Sequence, residues 1–367
     1  MLPTPVEIIK TLLKYSVIKL KSKLLENLSL DVSLSLHTTF HTGGNAKYFF
    51  SVSSVEQLKE AVLFSRAKAL PFFVLGGGSN LLVSDDGFFG VVIKINIVGI
   101  EWKNVSDSSV EVLMGAGENW DYVVGLSVER ALSGFENLSG IPGTVGATPV
   151  QNIGAYGSEI KDTISLVEVF DTSEMVVKTL RLQDMAFGYR DSIFKNPEGK
   201  KYIIVRVGCI LQKNAKPNIS YKDLTAFFAK NNIAQPSVND VRNAVLEIRR
   251  AKLPDLNMYG TAGSFFKNPI VSGEVFETLK EKFPLIVSFD TSLGQKKISA
   301  AWILDNICGF KGYRAGNVGV YQNQSLVLVN FGEGTSREIK NLADEMKACV
   351  KKNTGIDISE EIVMLGF

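Results

Sequence analysis

The sequence has 367 residues, of which 45% are hydrophobic and 21% are charged. At roughly 100–200 residues per domain, this length predicts two or three domains with their own cores and excludes a disordered or fibrous chain. Lysine and arginine total 40 against 38 aspartates and glutamates, so the chain lacks the positive excess of a general nucleic-acid-binding protein.

Cysteine and histidine are scarce. The three cysteines, Cys209, Cys308 and Cys349, are far apart in the sequence, which predicts neither a disulfide framework nor a metal clip and favours a reducing cytoplasm. A zinc site or a histidine-based catalytic triad would depend on His37 and His41 alone, so we expect no metal. Acid and base chemistry must then come from other side chains or from a cofactor.

Residues 6–28 alternate apolar residues with lysines, and this pattern predicts a basic amphipathic helix. Lysines interrupt it too often for a signal peptide or a membrane span, so we expect neither export nor membrane insertion. A helix lying on a membrane surface is one interpretation. We favour a helix that packs its apolar face against the rest of the protein.

The next block predicts a strand, a helix and a second strand. The strand covers residues 48–52, and Ser54 with Gln57 forms a capping box for a helix that ends near residue 68. A strand at 72–75 runs into Gly-Gly-Gly-Ser-Asn at residues 76–80, and extended segments follow at 81–83 and 91–95. This unit ends in a glycine loop.

A second block predicts strands around a long aperiodic stretch. A strand at 110–114 leads to a helix at 120–130, and further strands are predicted at 164–170, 176–182 and 202–211. Between them, residues 133–159 show almost no periodicity and are rich in glycine. A loop of this length in a globular chain is usually functional.

The third block mixes helices and strands and predicts an α+β fold. A helix at 237–252 precedes it, and helices within it are predicted at 273–282, 299–307 and 336–352. Strands are predicted at 318–322 and 325–331, and a last strand at 358–365 carries Glu360 and Glu361. Pro254 ends the first of these helices. We therefore predict domains at 1–98, 99–253 and 254–354, with residues 355–367 returning to the active site.

Two glycine-rich segments are candidate ligand sites. Adjacent glycines at 76–78 let backbone N–H groups face an anion, although a structural turn explains that loop equally well. The loop lacks the spaced glycines and following helix of a nicotinamide-binding Rossmann site. Glycines at 140, 143 and 146, set among small residues, expose enough main chain that we favour ligand binding over a structural coil.

Five motifs together resemble the UDP-N-acetylenolpyruvoylglucosamine reductase family. They are Gly-Gly-Gly-Ser-Asn at 76–80, Gly-Ala-Gly-Glu-Asn-Trp at 115–120, the stretch 141–157, Phe-Gly-Tyr-Arg-Asp-Ser at 187–192 and Gly-Ser-Phe-Phe-Lys-Asn-Pro at 263–269. The resemblance extends from about residue 36 to residue 366, in the order of the family. The basic N-terminal helix is additional to the family pattern.

This resemblance implies a flavoenzyme of peptidoglycan precursor synthesis, and thus of cell-wall biogenesis, cell shape and cell division. The implied fold is α+β, with a two-part FAD-binding domain of the vanillyl-alcohol oxidase and p-cresol methylhydroxylase type and a third, substrate-binding α+β domain. The implied reaction is NADPH-dependent reduction of UDP-N-acetylglucosamine enolpyruvate to UDP-N-acetylmuramate through noncovalent FAD. We expect a cytoplasmic monomer whose partners are these small molecules.

The resemblance also implies residue roles. Hydride addition to an enolpyruvyl ether leaves an enolate, which needs a charge stabiliser and a proton donor. Arg190 would stabilise the enolate, Glu361 would assist in a protonated or hydrogen-bonded form, and Ser264 would donate the proton. The implied substrate-binding residues are Tyr189, Tyr221, Arg249, Lys252 and Asn268. The implied cofactor-binding residues are Gly76, Gly77, Gly78, Ser79, Asn80, Gly140, Ile141, Pro142, Gly143, Gly146, Ala147, Gln151, Asn152, Gly154, Ala155 and Tyr156.

Each role has a simpler interpretation. Arg249 and Lys252, three residues apart on one helical face, could form an ordinary solvated surface, and Arg190 could pair with Asp191.

Two other functions also fit parts of the sequence: an alcohol oxidase of the same flavin-binding fold, and a catalytically silent nucleotide- or flavin-binding module. The glycine-rich stretch offers no histidine or cysteine for the covalent flavin link of such oxidases, and the joint presence of Arg190, Ser264 and Glu361 argues against a silent module.

Overall fold

The computed structural model describes residues 27–291 and 294–367. The predicted basic helix lies outside the described residues except at its end, where Leu28 already begins a strand. In the described part of the chain, no helix has both the length and the apolar character to cross a bilayer.

The first block contains a four-stranded sheet, one further short strand and one covering helix. Its strands are β1 (Leu28–Ser33), β2 (Asn45–Val52), β3 (Phe72–Leu75), β4 (Leu81–Val83) and β5 (Phe88–Ile95), and its helix is α1 (Val55–Ala67). The sheet order is β1-β2-β5-β3, with β2, β3 and β5 parallel and β1 antiparallel at the edge. The predicted strand–helix–strand unit is therefore confirmed, whereas β1 carried no clear signal.

The predicted start of α1 is confirmed with one change. Ser54 accepts a hydrogen bond from the Gln57 N–H at 3.3 Å, as a capping residue should. The Gln57 side chain accepts from the Ser53 N–H at 2.7 Å, one residue before the position that a capping box requires. The helix is thus capped from both sides of its first turn.

The second block is an antiparallel sheet in the order β12-β11-β13-β7-β6, with β8 paired to β13. Its strands are β6 (Ile100–Asn104), β7 (Ser109–Gly115), β8 (Leu132–Ser133), β11 (Ile164–Asp171), β12 (Val176–Arg181) and β13 (Tyr202–Lys213). Helix α2 (Trp120–Glu129) follows β7. The strands and the helix predicted here are confirmed.

The aperiodic stretch is irregular, as predicted. It contains short 3₁₀ turns at Glu136–Leu138 and Val145–Ala147 and the small hairpin β9 (Gly154–Ala155) and β10 (Ser158–Glu159). Trp120 is 1% exposed and its indole N–H donates to the Leu138 carbonyl at 3.0 Å, which fastens the stretch to α2. One apolar core runs from α1 through this stretch to β13.

The third block has its own apolar core. Helices α3 (Lys222–Lys230) and α4 (Val238–Lys252) precede it and share a separate small apolar cluster. The helices of the third block are α5 (Gly273–Lys282), α6 (Ala300–Asn306) and α7 (Ser336–Thr354). Its strands are β14 (Ile270–Val271), β15 (Ser288–Asp290), β16 (Lys296–Ile298), β17 (Arg314–Ala315), β18 (Val318–Val320), β19 (Leu328–Asn330) and β20 (Val363–Leu365). Phe265, Ile303 and Met346 are fully buried in this core. The mixed content confirms the α+β class, while the domain limits stay a prediction.

The C-terminal strand is shorter than predicted. Only β20 is extended and paired, so Glu360 and Glu361 precede the strand rather than lying within it. Glu360 makes an isolated bridge with Phe266, and the Glu361 N–H donates to the Phe265 carbonyl at 2.8 Å. Residues 360 and 361 thus contact the third block, and regular strand pairing begins only at β20, which is parallel to β4.

The prediction that the cysteines form no disulfide is wrong. Cys308, just after α6, and Cys349, in α7, form a disulfide bond with their Cα atoms 6.1 Å apart. They are 41 residues apart in sequence, and the packing of α6 and α7 against one core brings them together. Cysteine spacing therefore no longer supports a reducing compartment. Cys209 is free and buried.

Candidate active site

The motifs converge on a cleft of about 860 Å³, within the range of roughly 300–1,000 Å³ that is usual for small-molecule and cofactor sites. The cleft is lined by both glycine-rich segments, by Arg190, by the end of α4, by residues 262–264 and by residues 360–363. All three sequence blocks therefore contribute walls.

The first glycine loop, residues 76–80, directly follows β3 and lies along the cleft. The backbone N–H groups of Gly77, Gly78 and Ser79 form no hydrogen bond within the part of the chain that the structure describes. Gly78 has a φ of +67°, and a Cβ there would lie 2.0 Å from the His37 carbonyl oxygen. The loop thus presents unpaired donors of the kind that bind phosphate groups.

The second glycine-rich segment packs directly on the first. The Ser79 hydroxyl donates to the Pro142 carbonyl at 2.8 Å. A Cβ on Gly77 would lie 2.6 Å from the Cα of Gly143. A Cβ on Gly146 would lie 2.7 Å from that of Ala116, which belongs to the 115–120 turn. Glycine is therefore required where these motifs touch, and the three motifs form one surface.

The structure separates the expected cofactor-binding residues into two groups. Those lining the cleft are Gly76, Gly77, Gly78, Ser79, Asn80, Ile141, Pro142, Gly146, Ala147, Gln151, Gly154 and Ala155. Gly140, Gly143, Asn152 and Tyr156 do not line it. Gly140 donates its N–H to Asp121 at 2.6 Å, and the buried Asn152 donates to Glu159 at 2.8 Å and to the Gly188 carbonyl at 3.1 Å. Gly140 and Asn152 therefore attach the second glycine-rich segment to the surrounding structure on the side away from the cleft.

Arg190 lies at a tight turn and points into the cleft. The turn is closed by a hydrogen bond from the Gly188 N–H to the Asp191 carbonyl at 3.0 Å, and Arg190 has a φ of +52°. One terminal nitrogen donates to the Gly154 carbonyl at 3.0 Å. Its Nε is 2.8 Å from Glu361 Oε1, but that N–H is not aimed along a hydrogen bond. The contact with Glu361 is therefore an ion pair within the cleft.

Glu361 is a buried carboxyl group facing cations. Burial raises its pKa, and the nearby charges of Arg190, Lys195 and Lys267 partly oppose that shift. Its side chain is 11% exposed. Glu361 consequently holds a proton at higher pH than an ordinary glutamate does.

Ser264 lines the same cleft from the third block. Gly263 before it has a φ of +74°, and Ser264 itself makes an antiparallel bridge with Val327. The next residue, Phe265, is fully buried, and its N–H donates to the Leu326 carbonyl at 2.7 Å. These backbone contacts thus hold the main chain of Ser264 and Phe265 in place in the cleft wall.

The other expected substrate-binding residues lie at or beyond the rim. Arg249 lines the cleft and hydrogen-bonds to Tyr156, and burial lowers the pKa of Arg249. Burial raises the pKa of Tyr156 to about 12, so that phenol stays neutral. Lys252 does not line the cleft and instead pairs with Asp223 at 2.5 Å. The ring of Tyr221, which is 44% exposed, lies 5.5 Å from that of Tyr156.

Tyr189 and Asn268 line a second, more open cavity of about 560 Å³ together with Lys267. The Asn268 side chain accepts from the Ala300 N–H at 3.0 Å, at the start of α6. The ammonium of Lys297 lies 4.5 Å from the centre of the Tyr189 ring. Tyr189 and its neighbour Arg190 therefore face different cavities.

Lys195 is a cleft residue that the sequence reasoning missed. Its Nζ donates to the Arg190 carbonyl at 3.1 Å. The signal available was its place three residues after the Phe-Gly-Tyr-Arg-Asp-Ser motif, but a lysine at that distance has no generic role that residue type alone would indicate.

Comparison with known proteins gives consistent matches along the chain. Residues 255–365 match the C-terminal domain of UDP-N-acetylenolpyruvoylglucosamine reductase, and residues 46–180 match an FAD binding domain. The UDP-N-acetylenolpyruvoylglucosamine reductase of Flavobacterium johnsoniae is 44% identical over 331 residues, covering 90% of this chain and 97% of that protein. The enzyme of the same name from Ralstonia nicotianae is 41% identical over 338 residues, again with 90% and 97% coverage.

A solved structure agrees with these matches. The crystal structure of UDP-N-acetylenolpyruvylglucosamine reductase from Thermus caldophilus superposes with a TM-score of 0.63 at 25% identity. The match covers 92% of this chain and 98% of that one. The similarity therefore extends over nearly the whole chain.

Proposed function

Because the chain belongs to the UDP-N-acetylenolpyruvoylglucosamine reductase family, we propose that it reduces UDP-N-acetylglucosamine enolpyruvate to UDP-N-acetylmuramate. FAD is the cofactor and NADPH the hydride donor, and the product is a precursor of peptidoglycan. The observation that carries the proposal is the meeting of Arg190, Glu361 and Ser264 in the cleft that also holds the two glycine loops.

The cleft fits FAD as a noncovalent ligand. Free N–H groups at Gly77, Gly78 and Ser79 suit a pyrophosphate, and the apolar side chains of β3 and Ile141 suit the flat ring system. Among the described residues that line the cleft, none is a histidine or cysteine that could bind the flavin covalently. Residues of both glycine loops would therefore hold the cofactor by backbone contacts.

Arg190 is assigned to the charge that develops on the substrate. When bound, FAD supplies to the terminal carbon of the enolpyruvyl group a hydride that it has received from NADPH. An enolate then forms at the carboxyl end, and the Arg190 guanidinium can hold two of its oxygens in a fixed fork. The hydrogen bond from Arg190 to Gly154 keeps the guanidinium beside the loop that faces the cofactor.

Ser264 and Glu361 are assigned to the proton. Ser264 donates its hydroxyl proton to the other carbon of the former enolpyruvyl double bond. Positive charge in the cleft stabilises the serine alkoxide that this transfer leaves. Glu361 assists after taking up a proton, because the ionised carboxylate of its ion pair with Arg190 would repel the enolate. Burial, which raises the pKa of Glu361, supports the protonated form.

The phosphate end of the substrate is assigned to the rim. Arg249 contacts it from the cleft wall, and Tyr221, just before α3, and Lys252, at the end of α4, close over it. Tyr189 and Asn268 bind substrate from the neighbouring cavity. We propose a monomeric enzyme that acts in the cytoplasm, where NADPH and nucleotide sugars are made.

The test separates the two half-reactions by anaerobic stopped-flow absorbance of the flavin. NADPH should bleach the flavin bands, and UDP-N-acetylglucosamine enolpyruvate should restore them. Ser264→Ala should leave bleaching nearly unchanged and slow the restoration by several orders of magnitude, while Ser264→Cys, a donor of lower pKa, should recover part of the loss. The exposed Ser106→Ala is the control.

Three results would contradict the proposal. Equal slowing of both half-reactions by Ser264→Ala would mean that this serine only shapes the site. Bleaching by an alcohol followed by reoxidation with oxygen alone would indicate an oxidase. Bound flavin that neither NADPH nor an alcohol bleaches would indicate a silent binding module.

A further inference from the structure

Lys195 fixes the main chain of Arg190. Lys195 ends a 3₁₀ turn at Ile193–Lys195, and its own N–H donates to the Ser192 carbonyl at 3.1 Å. The Ser192 hydroxyl donates to the Val150 carbonyl at 2.6 Å, which attaches this turn to the second glycine-rich segment. From that anchored position the Lys195 ammonium reaches back to the Arg190 carbonyl at 3.1 Å.

Arg190 needs such a restraint. Its φ of +52° lies in the left-handed region, which is unfavourable for a residue with a long side chain. A strained conformation persists only where surrounding contacts determine it. The closed Gly188–Asp191 turn holds one side of Arg190, and the Lys195 ammonium holds its carbonyl.

Lys195 also adds positive charge to the cleft that it lines. The charged groups that act on it are Lys267, Glu361, Asp191 and Arg190. Burial is the main reason that the pKa of Lys195 is lowered, with Lys267 and Arg190 acting in the same direction and the two carboxylates opposing them. Lys195 therefore loses its charge at lower pH than a surface lysine.

We propose that Lys195 is a positioning residue for reduction of the enolpyruvyl group: it holds the Arg190 carbonyl so that the guanidinium faces the substrate carboxylate, and it supplies a second positive charge there. This inference rests on the proposed function. It concerns only the step in which the substrate gains negative charge, so transfer of hydride from NADPH to the flavin should not depend on Lys195.

The experiment compares Lys195→Met and Lys195→Arg with the wild-type holoenzyme, with the exposed Lys103→Met as control. Loss of a hydrogen bond to a charged group predicts about 10- to 100-fold slower flavin reoxidation by substrate in Lys195→Met. Flavin reduction by NADPH should stay within about twofold of wild type, and Lys195→Arg should recover part of the loss.

The pH dependence of flavin reoxidation shows whether the positive charge of Lys195 contributes to the step or whether Lys195 only supports the structure. In the wild type the reoxidation rate should fall as pH rises through the lowered pKa of Lys195. Deprotonation makes Lys195 a neutral amine, so the positive charge that it supplies beside Arg190 is lost. Lys195→Met should lack this alkaline decline, and Lys195→Arg should move it to higher pH.

A binding measurement checks the inference without turnover. Calorimetric titration of the oxidised holoenzyme should show about tenfold weaker UDP-N-acetylmuramate binding in Lys195→Met and unchanged binding of UDP, which has no carboxylate. Equal slowing of both half-reactions, an unaltered alkaline decline in Lys195→Met, or equal weakening of both ligands would overturn the inference. Failure of the substrate to reoxidise the wild type would instead refute the proposed function.

Discussion

Replacing Gly77 by alanine tests whether the contact between the two glycine loops holds the cofactor. The added Cβ would lie 2.6 Å from the Cα and 3.2 Å from the carbonyl carbon of Gly143. Carbon atoms pack at about 3.5–4.0 Å, so one loop must move by about 1 Å. Both contact atoms are backbone, and forcing such an overlap typically costs about 1–3 kcal/mol.

The displacement should appear as weaker FAD binding. A shift of about 1 Å breaks a hydrogen bond of ordinary length, and a bond to a charged group contributes about 1.5–3 kcal/mol. Loss of one phosphate contact from the 77–79 loop thus predicts a roughly 10- to 150-fold higher Kd for FAD. The assay is quenching of flavin fluorescence as the apoprotein is titrated into FAD.

Gly273→Ala is the matched control. Gly273 begins α5, and a Cβ there would meet nothing within 4 Å. This variant should bind FAD as the wild type does. If Gly77→Ala folds with wild-type circular dichroism and binds FAD with wild-type affinity, the first loop does not hold the cofactor and the assignment of residues 76–80 is incorrect.

Two further variants test the reacting groups. Arg190→Lys should slow flavin reoxidation by substrate about 10²- to 10³-fold in stopped-flow absorbance, because an ammonium cannot reproduce the guanidinium fork; wild-type reoxidation would rule out Arg190 as the enolate stabiliser. Burial raises the pKa of Glu361 in the folded protein above its pKa in the unfolded chain. The contribution of Glu361 to the free energy of unfolding is therefore complete below its unfolded-state pKa and is lost as pH rises through its folded-state pKa. Glu361→Gln, which cannot ionise, should remove that part of the pH dependence in urea unfolding while slowing reoxidation, and an unchanged stability profile would show that Glu361 titrates normally.

Local patterns explain why so many elements could be predicted from the sequence. The predicted helix at 273–282 coincides with α5, and Ser237 begins α4 with a full capping box in which its hydroxyl accepts from the Asp240 N–H at 3.2 Å. Both signals lie within a few residues of the helix they define. The fold class, which depended on the family resemblance, is confirmed by the FAD-binding match and the Thermus caldophilus structure.

The errors concern contacts between distant residues. The edge strands β1 and β6 and the short helix α3 had no distinct pattern, because their extent depends on neighbours in the fold. The disulfide joins Cys308 to Cys349 across 41 residues, a pairing that cysteine spacing alone does not reveal. The resemblance implied that Lys252 binds the substrate, and its ion pair with Asp223 in α3 is likewise a contact that local sequence pattern does not reveal.

The position of Glu361 shows why the site itself could not be derived from local pattern. An amphipathic strand through residues 358–365 would alternate its side chains and leave the orientation of Glu361 to the register. In the fold, its N–H is held by Phe265 and its carbonyl accepts from the Asn80 side chain at 3.4 Å. Asn80 also donates to the Gln151 side chain at 2.8 Å, so one carboxamide joins the first glycine loop, the second glycine-rich segment and the C-terminal segment.

That junction attaches the segment that carries Glu361 to the first glycine loop. Asn80 immediately precedes β4, and β4 pairs in parallel with β20, two residues beyond Glu361. The Val363 N–H also donates to the Asn80 carbonyl at 3.0 Å, so hydrogen bonds on both sides of Ile362 attach the C-terminal segment to the end of the first glycine loop. The C-terminal segment thus lies against the first glycine loop, although Glu361 follows Asn80 by 281 residues in the sequence.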